Sequence, residues 1–431
     1  MFIGHFTERP YQDPNAAWYG EITIDLQLSN DSFDPVRASN LYRRYFAERV
    51  AVEEMGFDGI ALNEHHATPF CMGGSVNIEA AILAQVTERA KLVVIGNVLP
   101  IWDDPLWLAE QLAMVDLISQ GRLVCGWVRG TGRESVTHNT QPPFNWERFQ
   151  EAHDLVIRAW TEPGPFRWDG THFQYRYVNP WQLPYQKPHP PIWVPGTISR
   201  NTVRWAAERG YAYLMLATKL GPTRECFDFY DEVARAAGFT PGPEHRGYVF
   251  KVHVEETEER AYEVGRKYLE GPSNIFIEGS RSKLNPAIQN LPGLNPKVTE
   301  ALPTSRVGPV AIARGFSNQI RPEGPPKTEA QVEVERANMY DDLIADYGII
   351  TGTPDSVIPK IRHVLETLRP GNIVLWDGDG DMSHDDTMRS LHLLGKEVLP
   401  AIREIGDELG LRGAFDTGVA SAHVPEAAGS V

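Results

Sequence analysis

The sequence predicts an α/β chain that closes as a TIM (β/α)8 barrel with long insertions. Three observations carry that expectation. Short apolar runs alternate with helical patterns from about residue 42 onward, and roughly eight strand–helix units can be counted. The first strand, "MFIGHFTERP", also lacks the G-x-G-x-x-G loop that an open doubly wound sheet would carry.

The elements follow in order. After the opening strand "MFIGHF", the segment "LYRRYFAERVAVEEMG" places Tyr42, Phe46 and Val50 on one helical face, with Gly56 as its stop. "FDGIAL" reads as a buried strand, and "VNIEAAILAQVTERA" sets Ile78, Ala81, Ile82 and Val86 at helical spacing. "KLVVIGNVLP" is strand-like up to Pro100. In the next helix Asp104 is the N-cap, Pro105 the first helical residue and Gly121 lies beyond the end. "RLVCGWV", "PIWVPG", "YAYLMLA", "RGYVFKVHVEE" and "NIVLWDG" complete the strands, each followed by a helical pattern. A single domain is expected over residues 1–412, with insertions at about 7–40 and 270–345. The second insertion is rich in Pro, Gly and Asn and reads as a lid or an oligomer contact. Residues 413–431 read as a disordered tail.

Composition narrows the function. Forty-one basic against 57 acidic residues give a formal charge of −16, which disfavours nucleic acid and anionic membranes as partners. Three scattered cysteines form neither a disulfide framework nor a metal motif and suit a reducing compartment. No signal peptide or membrane span is evident, so a cytoplasmic location is expected.

Chemistry is expected where strands end, at the C-terminal face of the barrel. In "GFDGIALNEHHATPF" a carboxylate and two imidazoles follow a strand directly, and alternation lets one of His65 and His66 face the mouth. A structural histidine pair explains the motif equally well, and Glu64 with His65 could serve a sugar-phosphate enzyme as acid and base. The fourth strand ends in "CGWVRGTGRES", where Arg129 and Arg133 in a glycine-rich turn suit a phosphate. It is not the dinucleotide fingerprint, because Ser135 replaces the third glycine. Arg148 opens the next helix, and "PGTISRNT" supplies Gly196, Ser199 and Thr202 at a later helix start. A phosphate site beside an imidazole suggests a mononucleotide such as FMN. Phe70, Trp102 and Trp127, with Trp181 and Trp193, are the aromatics expected at the mouth, the first three as substrate-facing residues. No metal site is expected: "DGDGDMSHDD" fails the calcium-loop pattern at Met382 and Met388.

The motifs "GFDGIALNEHH", "LVVIGNVLP", "LAEQLAMVDLISQGRLVCGWVRG", "ERFQEAHDLVIRAW" and "PPIWVPGTISRNTVRWAAERG" together resemble the bacterial luciferase-like, flavin-dependent monooxygenases. The resemblance implies a TIM barrel that takes reduced FMN and O2 and oxygenates a small, apolar or aromatic organic substrate. No NAD(P)H fingerprint is visible, so a separate flavin reductase is expected, as is a homo-oligomer. His65 matches the histidine that supports flavin–oxygen chemistry, Arg129 the phosphate-holding arginine, and Arg148 the arginine opening the following helix. Ser199 and Thr202 match the later helix start. Ile95 to Asn97 match a strained or cis peptide under the flavin, which makes Asn97 a cofactor contact. Val128 stands where the luciferase α subunit has a reactive cysteine, so light emission is not expected. Hydride transfer with a deazaflavin and a non-catalytic flavin carrier are the alternatives on the same barrel.

Overall fold

The computed structural model describes residues 1–16, 28–130, 132–216, 218–271 and 329–417. In chain order the elements are β1 (Phe2–Phe6), α1 (Pro35–Glu54), β2 (Gly59–Leu62), α2 (Val76–Val86), β3 (Lys91–Val98), α3 (Pro105–Ile118), β4 (Leu123–Val128), α4 (Gly132–Thr137) and α5 (Asn145–Thr161). A hairpin of β5 (Phe166–Asp169) and β6 (Gln174–Val178) precedes β7 (Ile192–Gly196), α6 (Arg200–Glu208), β8 (Ala212–Leu216) and α7 (Leu220–Ala236). Then come β9 (Arg246–Val254), α8 (Glu258–Gly265), α9 (Glu329–Ala345), β10 (Ile349–Gly352), α10 (Pro354–Leu368), β11 (Asn372–Trp376), α11 (His384–Leu393) and α12 (Leu399–Glu408).

Eight parallel strands run β11-β1-β2-β3-β4-β7-β8-β9, and β9 pairs back to β11 to close the barrel. These are the eight apolar runs of the sequence. Strand β10 adds parallel to the C-terminal half of β9, through Lys251–Val254. Because successive strand residues alternate sides, each strand feeds two cores. Phe6, Val93, Ile95, Val124 and Val249 fill the barrel, while Leu92, Val94, Leu123, Cys125 and Trp127 pack outward under the helices.

The caps explain the helix starts. Asp34 accepts from the Val36 and Arg37 N–H groups and Pro35 occupies the first turn, so α1 begins inside the segment expected to be an insertion. Asp104 caps α3 by accepting from the Trp107 N–H at 3.0 Å. Two helices turn a different face inward than hydropathy suggests. On α2 the buried residues are Val76, Asn77, Glu79, Ala80, Leu83 and Ala84, and Ile78 is 64% exposed. The polar members of that inner face are paired: Glu79 with the Arg9 guanidinium at 2.9 Å, and Asn77 with Asn97 at 2.9 Å. On α1 the inner line is Leu41, Tyr45, Glu48, Arg49 and Val52, with Tyr42, Phe46 and Val50 on its flank.

Residues 413–415 of the expected tail are packed. Phe415 lies 5.4 Å from the Phe2 ring at the N-terminal end of the barrel, and Ala414 is buried. Asp416 pairs with the amino terminus at 3.1 Å. The proposed lid falls mainly on residues 272–328, outside the described residues; its last part, from Glu329, is α9.

Candidate active site

A cavity of about 250 Å3 opens among the C-terminal ends of the strands. Its floor is apolar, with Phe6, Ile95, Val98, Leu216, Val249 and Trp376. Polar groups stand at two places on its wall.

The first group follows β2. His65 lines the cavity, held by its own N–H bonded to the Gly73 carbonyl at 3.2 Å. Its Nδ1 lies 2.8 Å from Glu134 Oε1 on α4, and its Nε2 is 3.9 Å from Glu8 Oε2. Burial opposes charge on the ring, but the bond to Glu134 and the fields of Glu8 and Glu134 outweigh it and push the pKa up to about 9. At neutral pH the imidazole is therefore a cation with both nitrogens protonated. His66 turns the other way and packs edge-on against His138, with ring centres 4.1 Å apart. Burial and His138 lower its pKa to about 4. Glu64 lies deeper and accepts from the Val98 N–H at 3.2 Å; burial pushes its carboxyl up to about 7.

The Glu8 carboxylate behind His65 is fixed by a buried layer. Asn63 donates to Glu8 Oε2 at 2.6 Å, and Arg9 bonds the Asn63 side chain and carbonyl at 3.1 and 2.6 Å.

The second group joins β4 to β7. Arg129, Gly130, Gly196, Ser199 and Thr202 all line the cavity. Gly130 has φ +77°, and a Cβ there would come within 2.4 Å of Val98, so the turn requires glycine. Ser199 occupies the N-cap position of α6 but makes no capping bond; its hydroxyl accepts from Thr202 at 3.1 Å. Arg129 has no hydrogen-bond or ion-pair partner among the described residues, and burial pulls its pKa below the ordinary value. A charged guanidinium left without an acceptor at a cavity wall calls for an anion. These residues fit the phosphate of FMN, and the apolar floor fits its ring.

Other expected contacts lie elsewhere. Arg148 is not in the cavity wall: its Nε donates to the Pro100 carbonyl at 2.8 Å and its Nη2 to the Trp102 carbonyl at 3.2 Å. It fastens α5 to the segment after β3 and stacks 4.8 Å from the Phe173 ring. Asn97 points out toward α2, and the neighbours Ile95, Gly96 and Val98 face the cavity instead. The irregularity there is a bulge in the β3–β4 register. The cis bonds of the described residues, Gly164–Pro165 and Lys187–Pro188, are remote from it in sequence. Trp127 packs outward against His153, 5.2 Å away, because it shares the outward phase of β4 with Leu123 and Cys125. Trp102 lies outside the wall, against the outer core. Phe70 is buried 5.9 Å from the His65 ring, supporting it from behind the wall. Trp181 is exposed, and Trp193 packs on Phe2 at the opposite end of the barrel.

Sequence reasoning missed Glu8, Glu134, Phe6 and Trp376. Glu134 carried one faint signal, its place in the glycine-rich turn after Arg129; Glu8 carried none beyond following the first strand.

Known proteins share this architecture. Residues 30–369 match the model of the luciferase-like monooxygenase family. The alkanal monooxygenase alpha chain of Photobacterium leiognathi is 27% identical over 273 residues, 60% of this chain and 75% of that one. The oxygenase component of the flavin-dependent trigonelline monooxygenase of Acinetobacter baylyi is 30% identical over 158 residues, 36% of this chain and 43% of that one. Among solved structures, a monooxygenase from Streptomyces bottropensis superposes with a TM-score of 0.66 at 21% identity, covering 93% of this chain and all of that one. The oxygenating constituent of 3,6-diketocamphane monooxygenase from Pseudomonas putida, in complex with FMN, gives 0.61 at 18%, covering 93% and 98%. An F420-dependent secondary alcohol dehydrogenase gives 0.61 at 14%, covering 93% and 99%. With its closed barrel, its strand-end cavity and a family match over most of its length, the chain belongs to the luciferase-like monooxygenases.

Proposed function

We propose that this protein is the oxygenase of a two-component system that uses reduced FMN and O2 to oxygenate an apolar or aromatic organic substrate. The observation that carries the reading is one cavity with, on one wall, an arginine that has no partner among the described residues and, on another, a histidine held as a cation. Arg129 would hold the phosphate, with Gly196, Ser199 and Thr202 beside it. Phe6, Ile95 and Val98 would shelter the ring from water. Bound FMN supplies, in its reduced form, the electrons that activate O2. His65, with Nδ1 tied to Glu134, presents Nε2 as the proton donor to developing negative charge on oxygen.

A separate reductase would deliver reduced FMN, as the relative described as an oxygenase component suggests. A homo-oligomer is supported by the apolar stripe on adjacent α2 and α3, where Ile78, Ile82, Val86, Met114, Leu117 and Ile118 are exposed. The test is rapid mixing of the protein with reduced FMN and oxygenated buffer, following flavin absorbance and oxygen uptake. Tight FMN binding with altered oxidation kinetics supports the reading; absence of flavin affinity removes it. Barrels of this shape occur with both FMN and F420, so anaerobic turnover with reduced F420 would instead establish hydride transfer. Binding without any effect on oxygen chemistry would leave a flavin carrier.

A further inference from the structure

We propose that Lys251 binds an anionic oxygen of the organic substrate, a carboxylate carried on a flat ring, on the side of the cavity away from Arg129. The inference rests on the monooxygenase reading and adds the substrate's chemical class to it.

On β9 the inward phase that brings Val249 to the cavity floor brings Lys251 to the next level toward the mouth, while Tyr248, Phe250 and Val252 pack outward. Lys251 is in register with Trp376 on β11. Its Nζ stands 4.6 Å from the centre of the Trp376 ring and 4.9 Å from that of Tyr268. Trp376 is part of the cavity wall, and β11 lies four strands from the Arg129 strand in either direction round the barrel. A ligand whose phosphate sits on Arg129 therefore leaves this side for something else.

Lys251 makes no hydrogen bond and no ion pair among the described residues. Its nearest acidic neighbours, Asp379 and Glu8, act on it only through their fields. Asp379 spends Oδ2 on the Trp376 indole N–H at 2.9 Å and leaves a buried Oδ1 without a partner; Glu8 spends Oε2 on Asn63. An ammonium held against two rings with no acceptor among the described residues leaves its charge unmatched, whereas a structural lysine would have closed onto Asp379. Its position suits an anion that arrives with the substrate, and the cavity-lining ring of Trp376 suits a flat ring carrying it. The two carboxylates behind it weigh against dianions.

The test uses benzoate and its neutral isostere benzamide as probes, titrated calorimetrically into the full-length protein with and without FMN. Benzoate should bind roughly tenfold or more tightly than benzamide, the discrimination expected of one charge-assisted hydrogen bond. Lys251→Met should erase that preference while keeping FMN affinity and an equal or higher melting temperature; Lys251→Arg should restore part of it. Equal binding of the two probes, or a preference that survives in Lys251→Met, overturns the inference. So does a loss of FMN affinity in Lys251→Met, which would assign the lysine to the cofactor. Failure of the unaltered protein to bind FMN would sink the monooxygenase reading; FMN binding without discrimination between the probes sinks this inference alone.

Discussion

Glu134→Gln isolates the interaction that charges His65. The carboxylate accepts from Nδ1 at 2.8 Å and is itself buried, so little solvent screens the pair. Glutamine keeps the acceptor oxygen and removes the charge. Burial, the largest influence on the ring, then acts with Arg9 against the field of Glu8 at 3.9 Å and a weaker hydrogen bond to a neutral acceptor. The pKa should fall from about 9 toward 6.5 or below, a difference worth about 3 kcal/mol between the two protonation states. At pH 7.5 the ring would change from nearly all charged to about one part in ten charged. The assay is the pH titration of the His65 ring protons by NMR, alongside product formed per flavin oxidised. Coupling should collapse near neutral pH in the variant and recover as the pH drops. The sign for stability is the same: the folded pKa is raised, so the pair's contribution is complete below about 6.5 and lost as pH rises through about 9. A His65 titration unmoved by Glu134→Gln would refute the argument.

Arg129→Ala should weaken FMN by about 1.5–3 kcal/mol and riboflavin hardly at all, since a charge-assisted bond to phosphate is lost; titrating both ligands checks this, and equal losses would place Arg129 at the ring. Trp127→Ala should cost about 3–5 kcal/mol of stability by opening an outer-core cavity, with flavin affinity unchanged once the protein is held below its melting temperature. Ile82→Glu, in the exposed stripe of α2, should convert a homo-oligomer to a smaller species in sedimentation velocity without altering the circular dichroism. An unchanged sedimentation coefficient would move the interface elsewhere.

The eight barrel strands were legible because each is buried on both faces and reads as a plain apolar run between turn signals. Strand β10 and the β5–β6 hairpin were not: β10 offers only two apolar residues, Ile349 and Ile350, and the hairpin strands are polar and largely exposed. His65, Arg129, Gly196, Ser199 and Thr202 were legible at the ends of predicted strands, and all five line the cavity. Arg148 misled because a strand-end location does not reveal that two carbonyls hold its Nε and Nη2 outside the cavity wall. Trp127 and Asn97 misled through phase: one step along a strand exchanges the cavity for the outer layer. The sequence by itself determined the order of strands and helices and which strand ends carry reactive groups, because those depend on neighbours within a few positions. Tertiary structure alone decided that Glu134 charges His65 across 69 positions, that Arg9 and Glu79 bury as a pair across 70, and that Lys251 stands over Trp376 with no acceptor among the described residues. Charge, burial and pairing are properties of the space around a group, and that space is assembled from residues far apart in the chain.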